Sequence, residues 1–366
     1  MYKIIERINK LIFLPIIFMI QMNGNAQERV WNVLDTLPDP YGFAGSFAGK
    51  INDGIIYMGG AQFENGVPPW DSGVKVWSDK IFYLSNESGK WQEIGVMPYK
   101  CGYGASASYN GKFYIAGGSN KSKHFNEVLE ISLVKGELKI SQLPKLPVPT
   151  ANCSFAQYGD SWYVVGGQEN PNSKIASNKC FKFNFNLPEN GWVELPSIPG
   201  PGRILAVAAA NEKGLFVFSG ASLKDGMRTY LNDGFKFDGN TWKPTAELPQ
   251  SITASPNPGI ELEKDVFTFI SGDEGRLVDF DLKEMHPGFS KNVYSYNIKA
   301  DKWEFSDVIP NELQNKDGVT IPLVAPVTST AIYWKGKIVI PGGESRPAVR
   351  TRQVLQYFNE RPNQNL

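Results

Sequence analysis

Histidine is nearly absent: the 366 residues hold two, His124 and His286. That excludes a histidine-rich metal centre, since the imidazole donors it would gather are missing. Cysteine is scarce as well. Cys101, Cys153 and Cys180 are an odd number with neither a CxxC pair nor a metal-ligand spacing; one pair could bridge, but three isolated buried thiols are the preferred reading. Net charge is also lacking, with 37 Lys and Arg against 37 Asp and Glu. A chain so balanced has no basic field for phosphate backbones or anionic lipid, so neither nucleic acid nor a membrane is expected as a partner.

Long apolar runs are missing too. The stretch Leu11 to Ile20 is shorter than the roughly 20 residues that a spanning helix needs. It follows Lys3, Arg7 and Lys10 and leads to a small-residue exit ending at Ala26, the pattern of a cleaved secretory signal. Residues 1–26 are therefore expected to be removed, the mature chain to begin near Gln27, and the protein to be periplasmic or secreted. Their removal leaves 34 basic against 36 acidic residues, a net charge of −2.

What the chain has in plenty is repetition. Six apolar, strand-like runs end in a small residue and Gly: IIYMGG at Gly60, FYIAGG at Gly118, WYVVGG at Gly167, LFVFSG at Gly220, FTFISG at Gly272 and IVIPGG at Gly343. A second signal accompanies each. Trp31, Trp91, Ile140, Trp192, Trp242 and Trp303 stand six positions before the apolar-Pro pairs that begin at Leu37, Met97, Leu146, Ile198, Leu248 and Ile309. Short polar turns such as Asn110-Gly111 and Lys335-Gly336 lie inside the repeats, where a tight hairpin needs positive φ. Units of roughly fifty residues built from short strands mark a β-propeller, so residues 27–366 are expected to form an all-β, six-bladed ring. The last repeat stops without its Trp strand, and Trp31 precedes the first Gly pair. The N-terminal strand is thus expected to complete the last blade and close the ring, which also removes exposed sheet edges. Insertions at Gln62 to Ser78, Gly272 to Ser290 and Asn311 to Ile321 belong on loops at one face, where binding sites tend to lie.

The last Gly pair differs from the others in its chemistry. PGGESRPAVRT places Glu344, Arg346 and Arg350 directly after an inner strand, a carboxylate beside two guanidinium groups that could face a central channel. Gly343 to Thr351 resembles the active-site segment of the N-acetylneuraminate epimerases, sialic acid mutarotases on a six-bladed kelch propeller. The resemblance extends to Gly42-Phe43-Ala44-Gly45 with Gly59-Gly60-Ala61-Gln62-Phe63, and to Tyr103-Gly104 before Gly117-Gly118. In the usual member the Glu segment lies in the fourth blade and the GFAG blade follows it; here the GFAG blade comes first and the Glu segment last, an order cyclically permuted by two blades. Arg346 stands where Lys is usual, Ala348 where Gly is usual, and Val349 where Leu is usual. The resemblance implies Glu344 as the proton acceptor, and Arg350 and Arg203 (in PGPGRIL) as the groups that bind the carboxylate of a small sugar acid. It implies no metal, nucleotide or other cofactor.

Other readings stay open. A non-catalytic kelch module that binds a sugar or a protein needs the arginine but not the base, and a mutarotase could act on another keto-sugar or an aldose. Ser271 to Gly275 resembles part of a sialidase aspartate box without its closing aromatic residue. Trp70, Trp77 and Phe63 could stack on a sugar face, whereas the Trp residues of the repeats are expected in the core. Tyr41, Tyr99 and Tyr103 either line the channel or pack between blades, and His286 either reaches the channel or caps its own loop.

Overall fold

The computed structural model describes residues 28–315 and 318–360; the expected signal, residues 1–26, lies outside them. The described residues form six four-stranded antiparallel sheets, arranged as the blades of a propeller. Blade 1 comprises Phe47–Ile51, Gly54–Met58, Lys80–Leu84 and Gln92–Val96, from inner to outer strand. Blades 2 to 5 repeat that order over residues 105–143, 154–195, 207–244 and 260–308. Blade 6 takes Ile332–Trp334, Lys337–Pro341 and Val354–Glu360 from the end of the chain and its outer strand, Glu28–Val33, from the beginning. Trp31 pairs there with Tyr357, their ring centroids 4.5 Å apart, so the ring closes as the sequence leads one to expect.

The second strand of each blade has a neighbouring blade on both faces, which is why it reads as an unbroken apolar run. All five residues of Gly54–Met58 are buried. The core is accordingly divided into wedges, one at each of the six junctions between adjacent blades. Phe216 and Phe218 of blade 4, for example, meet Phe267, Phe269 and Trp303 of blade 5, and each such fully buried side chain contributes about 1.5–3 kcal/mol. The apolar residues of the six apolar-Pro pairs are all buried in these wedges, from Leu37 to Ile309. Cys101, Cys153 and Cys180 lie in three different wedges and are free thiols.

The repeat Trp residues act at the outer edges of the junctions. The indole N–H of Trp91 donates to the Asp35 carbonyl (2.9 Å), that of Trp192 to Pro144 (3.1 Å), that of Trp242 to Pro196 (2.7 Å) and that of Trp303 to Ala246 (3.1 Å). Each acceptor lies just past the outer strand of the preceding blade. Trp31 makes the same crossing to the Asp307 carboxylate at 3.1 Å. Trp91 and Trp303 are buried, as expected of core residues, whereas Trp31, Trp192 and Trp242 are only half-buried.

Two tiers of backbone bonds define the central axis. In the first, the residue after each Gly pair exchanges both backbone bonds with a residue ahead of its own blade: Ala61 with Ala44, Ser119 with Gly102, Gln168 with Ala151, Ala221 with Ile204, Asp273 with Thr253, and Glu344 with Val327. The second tier closes on itself. The N–H of Gly45 donates to Thr328, Tyr103 to Gly45, Asn152 to Tyr103, Leu205 to Asn152, Ala254 to Leu205 and Thr328 to Ala254, all at 2.6–2.8 Å. All six of these residues take positive φ, between 49° and 66°. A Cβ on Gly343 would lie 2.7 Å from the Val327 carbonyl oxygen, so the close approach of the first tier demands glycine there.

Candidate active site

Strand order puts the connections that follow each Gly pair, and those that lead into the next blade, on one face of the ring. The long insertions emerge on that face. Three of the connections after a Gly pair prolong a blade as a short hairpin: Ala61–Phe63 with Lys75–Trp77, Ala221–Lys224 with Met227–Tyr230, and Glu344–Arg346 with Val349–Arg350. Residues directly opposite in an antiparallel pair point to the same side. Glu344 is opposite Arg350, which is how two residues six apart in sequence come to share one site.

The Arg350 side chain is 5% exposed and that of Glu344 18%. Arg350 Nη1 donates to Glu344 Oε1 at 2.9 Å and Arg350 Nε to the Ala61 carbonyl at 3.1 Å, while the guanidinium lies 5.0 Å from the centroid of the Phe63 ring. Burial works against the Arg350 charge, but Glu344 and then Tyr103 more than offset it and hold its pKa above the ordinary value. The Ala348 N–H gives Glu344 Oε1 a second bond at 2.6 Å. Oε2 meets the Thr328 hydroxyl at a longer 3.4 Å, so it is the oxygen more open to a ligand proton.

These groups wall a cavity of about 400 Å³ on the axis, within the range of roughly 300–1,000 Å³ usual for small-molecule sites. Tyr103, Asn152, Leu205, Ala254 and Thr328 of the closed hydrogen-bond ring form its floor and also roof a chamber of about 50 Å³ beneath. Phe63 and Lys75, a cross-strand pair, supply the blade 1 wall. Across the cavity stand Arg228 and Asp273. Asp273 accepts from the Tyr230 hydroxyl at 2.7 Å and from the Gly275 N–H at 2.9 Å; burial and then this carboxylate raise the Tyr230 pKa. The site is therefore a concave, largely polar chamber with two carboxylates, three cations and several hydroxyls.

No protein-family model matches the chain. An N-acetylneuraminate epimerase of Haemophilus influenzae (strain PittEE) is 34% identical over 101 residues, 24% of this chain and 26% of that protein. One of Shigella flexneri serotype 5b (strain 8401) is 34% identical over 110 residues, 28% of this chain and 29% of the relative. One of Yersinia pestis (strain Pestoides F) is 24% identical over 230 residues, 59% of this chain and 57% of the relative. The chain thus spans only about a quarter of the length of the first two relatives. Among solved structures, the one titled "Structure of YjhT" superposes with a TM-score of 0.64 at 16% identity, covering 88% of this chain and 96% of that one. This likeness shows the fold, a six-bladed propeller.

The structure brings Glu344 and Arg350 together and leaves Arg203 elsewhere. The Arg203 side chain is 0% exposed, with Nη1 and Nη2 bonded to the Asp233 carboxylate at 2.8 and 3.1 Å and Nη1 also to the Ser219 carbonyl at 3.2 Å. It is not among the residues lining the cavity; a guanidinium locked inside blade 4 cannot meet a ligand there. Arg346 also departs from expectation. It turns away from Glu344 and donates to the Glu284 carbonyl at 2.7 Å, and the Trp70 indole donates to the Glu284 carboxylate, so the pair tie the insertions of blades 1, 5 and 6 together. Of the loop aromatics Phe63 faces the cavity, while Trp77 lies 5.1 Å from Lys75 Nζ. Of the three tyrosines Tyr103 lines the channel, Tyr99 stacks on Phe125 at 4.5 Å between blades, and Tyr41 borders a side recess with Phe63 and Arg350. His286 Nδ1 accepts from the Gly288 N–H at 3.1 Å, capping its own loop; burial lowers its pKa, partly opposed by Asp273. Its ring borders a recess that shares Asp273 and Phe289 with the main cavity.

Lys75, Arg228 and Asp273 are charged cavity residues to which the sequence alone assigned no role in this site. Asp273 carried a usable signal, since it directly follows a Gly pair as Glu344 does. Lys75 carried only the coarse signal of its insertion, Gln62 to Ser78, and Arg228, on a hairpin outside the repeat, carried none.

Proposed function

We propose that this protein is a sialic acid mutarotase that interconverts the anomers of N-acetylneuraminic acid by opening and reclosing its hemiketal. The observation that carries the reading is the Glu344–Arg350 pair on the axial cavity, 2.9 Å apart and in cross-strand register. Its support from relatives is that those with partial sequence matches are N-acetylneuraminate epimerases.

In this mechanism Glu344 Oε2 removes the proton of the anomeric hydroxyl, the bond to the ring oxygen breaks, and the ring oxygen takes up a proton. Reclosure on the other carbonyl face reverses the transfers. One carboxylate serves both directions because it is base in opening and acid in closing. The substrate carboxylate, next to the anomeric carbon, takes N–H donors of Arg350 that Glu344 and Ala61 leave over, a two-point recognition suited to a planar guanidinium. Lys75 and Arg228 add positive charge around the same anion. The cofactor-free character of the proposal follows from the reaction itself, which moves protons only.

The shortness of the sequence matches fits a permuted blade order. A ring of similar blades superposes in chain order whichever blade comes first, whereas residue-by-residue matching is confined to blades that stay contiguous. Residues 1–26 carry the pattern of an export signal, which supports a location in the periplasm or outside the cell, where the enzyme would act on sugar that a sialidase releases as one anomer.

A non-catalytic sugar-binding module is the rival. Adding the purified protein to the freshly released α anomer and following its decay by NMR separates the two. The mutarotase reading predicts faster equilibration in proportion to enzyme; saturable binding with an unchanged rate would favour the binding module.

A further inference from the structure

Opening a hemiketal needs two proton sites, one to take the anomeric hydroxyl proton and one to give a proton to the ring oxygen. Resting on the mutarotase reading, we propose that the Tyr103 hydroxyl is the second site, the acid that protonates the ring oxygen.

The hydrogen-bond ring places it. Thr328, Gly45 and Tyr103 are consecutive members, linked by the Gly45 N–H to Thr328 and the Tyr103 N–H to Gly45. Thr328 contacts Glu344 Oε2, so Glu344 and Tyr103 stand on either side of Gly45. Gly45 leaves the space between them open to the tyrosine: a Cβ there would lie 2.5 Å from Tyr103 Cδ1. Any larger residue at 45 would drive the phenol ring off the cavity floor. Tyr103 lines the cavity together with Glu344 and Arg350, and after Glu344 it helps to hold the Arg350 pKa up. Lys75 Nζ lies 4.4 Å from the centroid of the same ring and Arg350 lines the same cavity, so positive charge stands near the phenol as its proton leaves.

The step balances without any outside reagent. Glu344 takes the anomeric hydroxyl proton, and the electron pair of that O–H bond becomes the carbonyl. The bond to the ring oxygen breaks, its electron pair stays on the ring oxygen, and the Tyr103 proton is delivered there. A keto-sugar, a protonated Glu344 and a tyrosinate remain. After the other carbonyl face turns to the freed hydroxyl, the tyrosinate takes that hydroxyl's proton, the ring recloses, and Glu344 returns its proton to the carbonyl oxygen. The other tyrosine near the cavity, Tyr230, already donates its proton to Asp273 at 2.7 Å.

The test compares wild-type protein, Tyr103→Phe, Tyr230→Phe and Glu344→Gln by NMR anomer exchange, with N-acetylneuraminic acid affinity measured by titration. Tyr103→Phe is expected to lose about 100-fold in exchange rate at saturating sugar with little change in affinity, the signature of an interaction made only in the transition state. Fluorotyrosine at position 103, which keeps the ring's shape and changes the electron density at the phenol oxygen, is expected to change the exchange rate while leaving affinity near the wild-type value. The fluorotyrosine protein keeps the proposal testable if the phenylalanine variant folds poorly. Wild-type exchange by Tyr103→Phe beside a slow Glu344→Gln would overturn the assignment and leave the mutarotase reading standing. A loss confined to Tyr230→Phe would overturn it by moving the acid to the opposite wall. No acceleration by the wild-type protein would overturn both.

Discussion

Arg203 and Arg350 show how one residue type takes opposite roles under different burial partners. Arg203 precedes the inner strand of blade 4 and Arg350 follows the second strand of blade 6, and both were candidates for a substrate carboxylate. Arg350 is held by single bonds to Glu344 and to the Ala61 carbonyl, which leaves donors facing the cavity. Arg203 has both terminal nitrogens on Asp233 and no exposed surface. The sequence makes both arginines visible, but the direction a side chain leaves its strand depends on the register of a hairpin or loop that no repeat spacing encodes. Arg203→Met is expected to lower stability by about 3 kcal/mol, the scale for removing one partner of a buried ion pair, while sugar affinity stays at the wild-type value. Urea unfolding and titration on the same preparation check this; a large loss of affinity in a protein of wild-type stability would return Arg203 to the site.

The element that matters most is the hairpin Glu344–Arg346 with Val349–Arg350. Its turn holds Ala348 at φ 64°, and the Ala348 N–H bonds to Glu344 Oε1. A left-handed conformation costs an alanine about 1 kcal/mol that glycine does not lose. Ala348→Gly is therefore expected to raise the urea midpoint by an amount equivalent to about 0.5–1 kcal/mol while keeping the bond to Glu344; an unchanged or lower midpoint would show that the turn gains nothing from relief of strain. The Gly pairs and the Trp residues were legible because each answers a fixed demand: a backbone approach with no room for Cβ, and an indole donor spanning a junction. The closed ring of Gly45, Tyr103, Asn152, Leu205, Ala254 and Thr328 was not legible. It is made by backbone groups, and its six side chains share no chemistry.

At the scale of the whole molecule, the account is of a ring whose closure rests on Glu28–Val33 pairing with Val354–Glu360. Without that strand, blade 6 loses its outer edge, the Trp31 crossing to Asp307, and the packing of Trp31 on Tyr357. A chain beginning at Asp35 is expected to lose the single cooperative unfolding transition of the intact ring, as read by calorimetry; a single transition at the original midpoint would show that closure lies elsewhere. The fold was readable end to end because the same demands recur in every blade. Of the cavity lining, Glu344 and Arg350 stood out where one blade departs from the rest, and Phe63 and Tyr103 were named as aromatic candidates. The central claim is that Glu344 moves the anomeric proton, and the most direct test is the NMR exchange rate between the two anomers of N-acetylneuraminic acid with wild-type protein and with Glu344→Gln. Wild-type protein is expected to accelerate exchange clearly and the variant to lose about 100-fold or more; equal rates from the two proteins would remove Glu344 from the proton transfer.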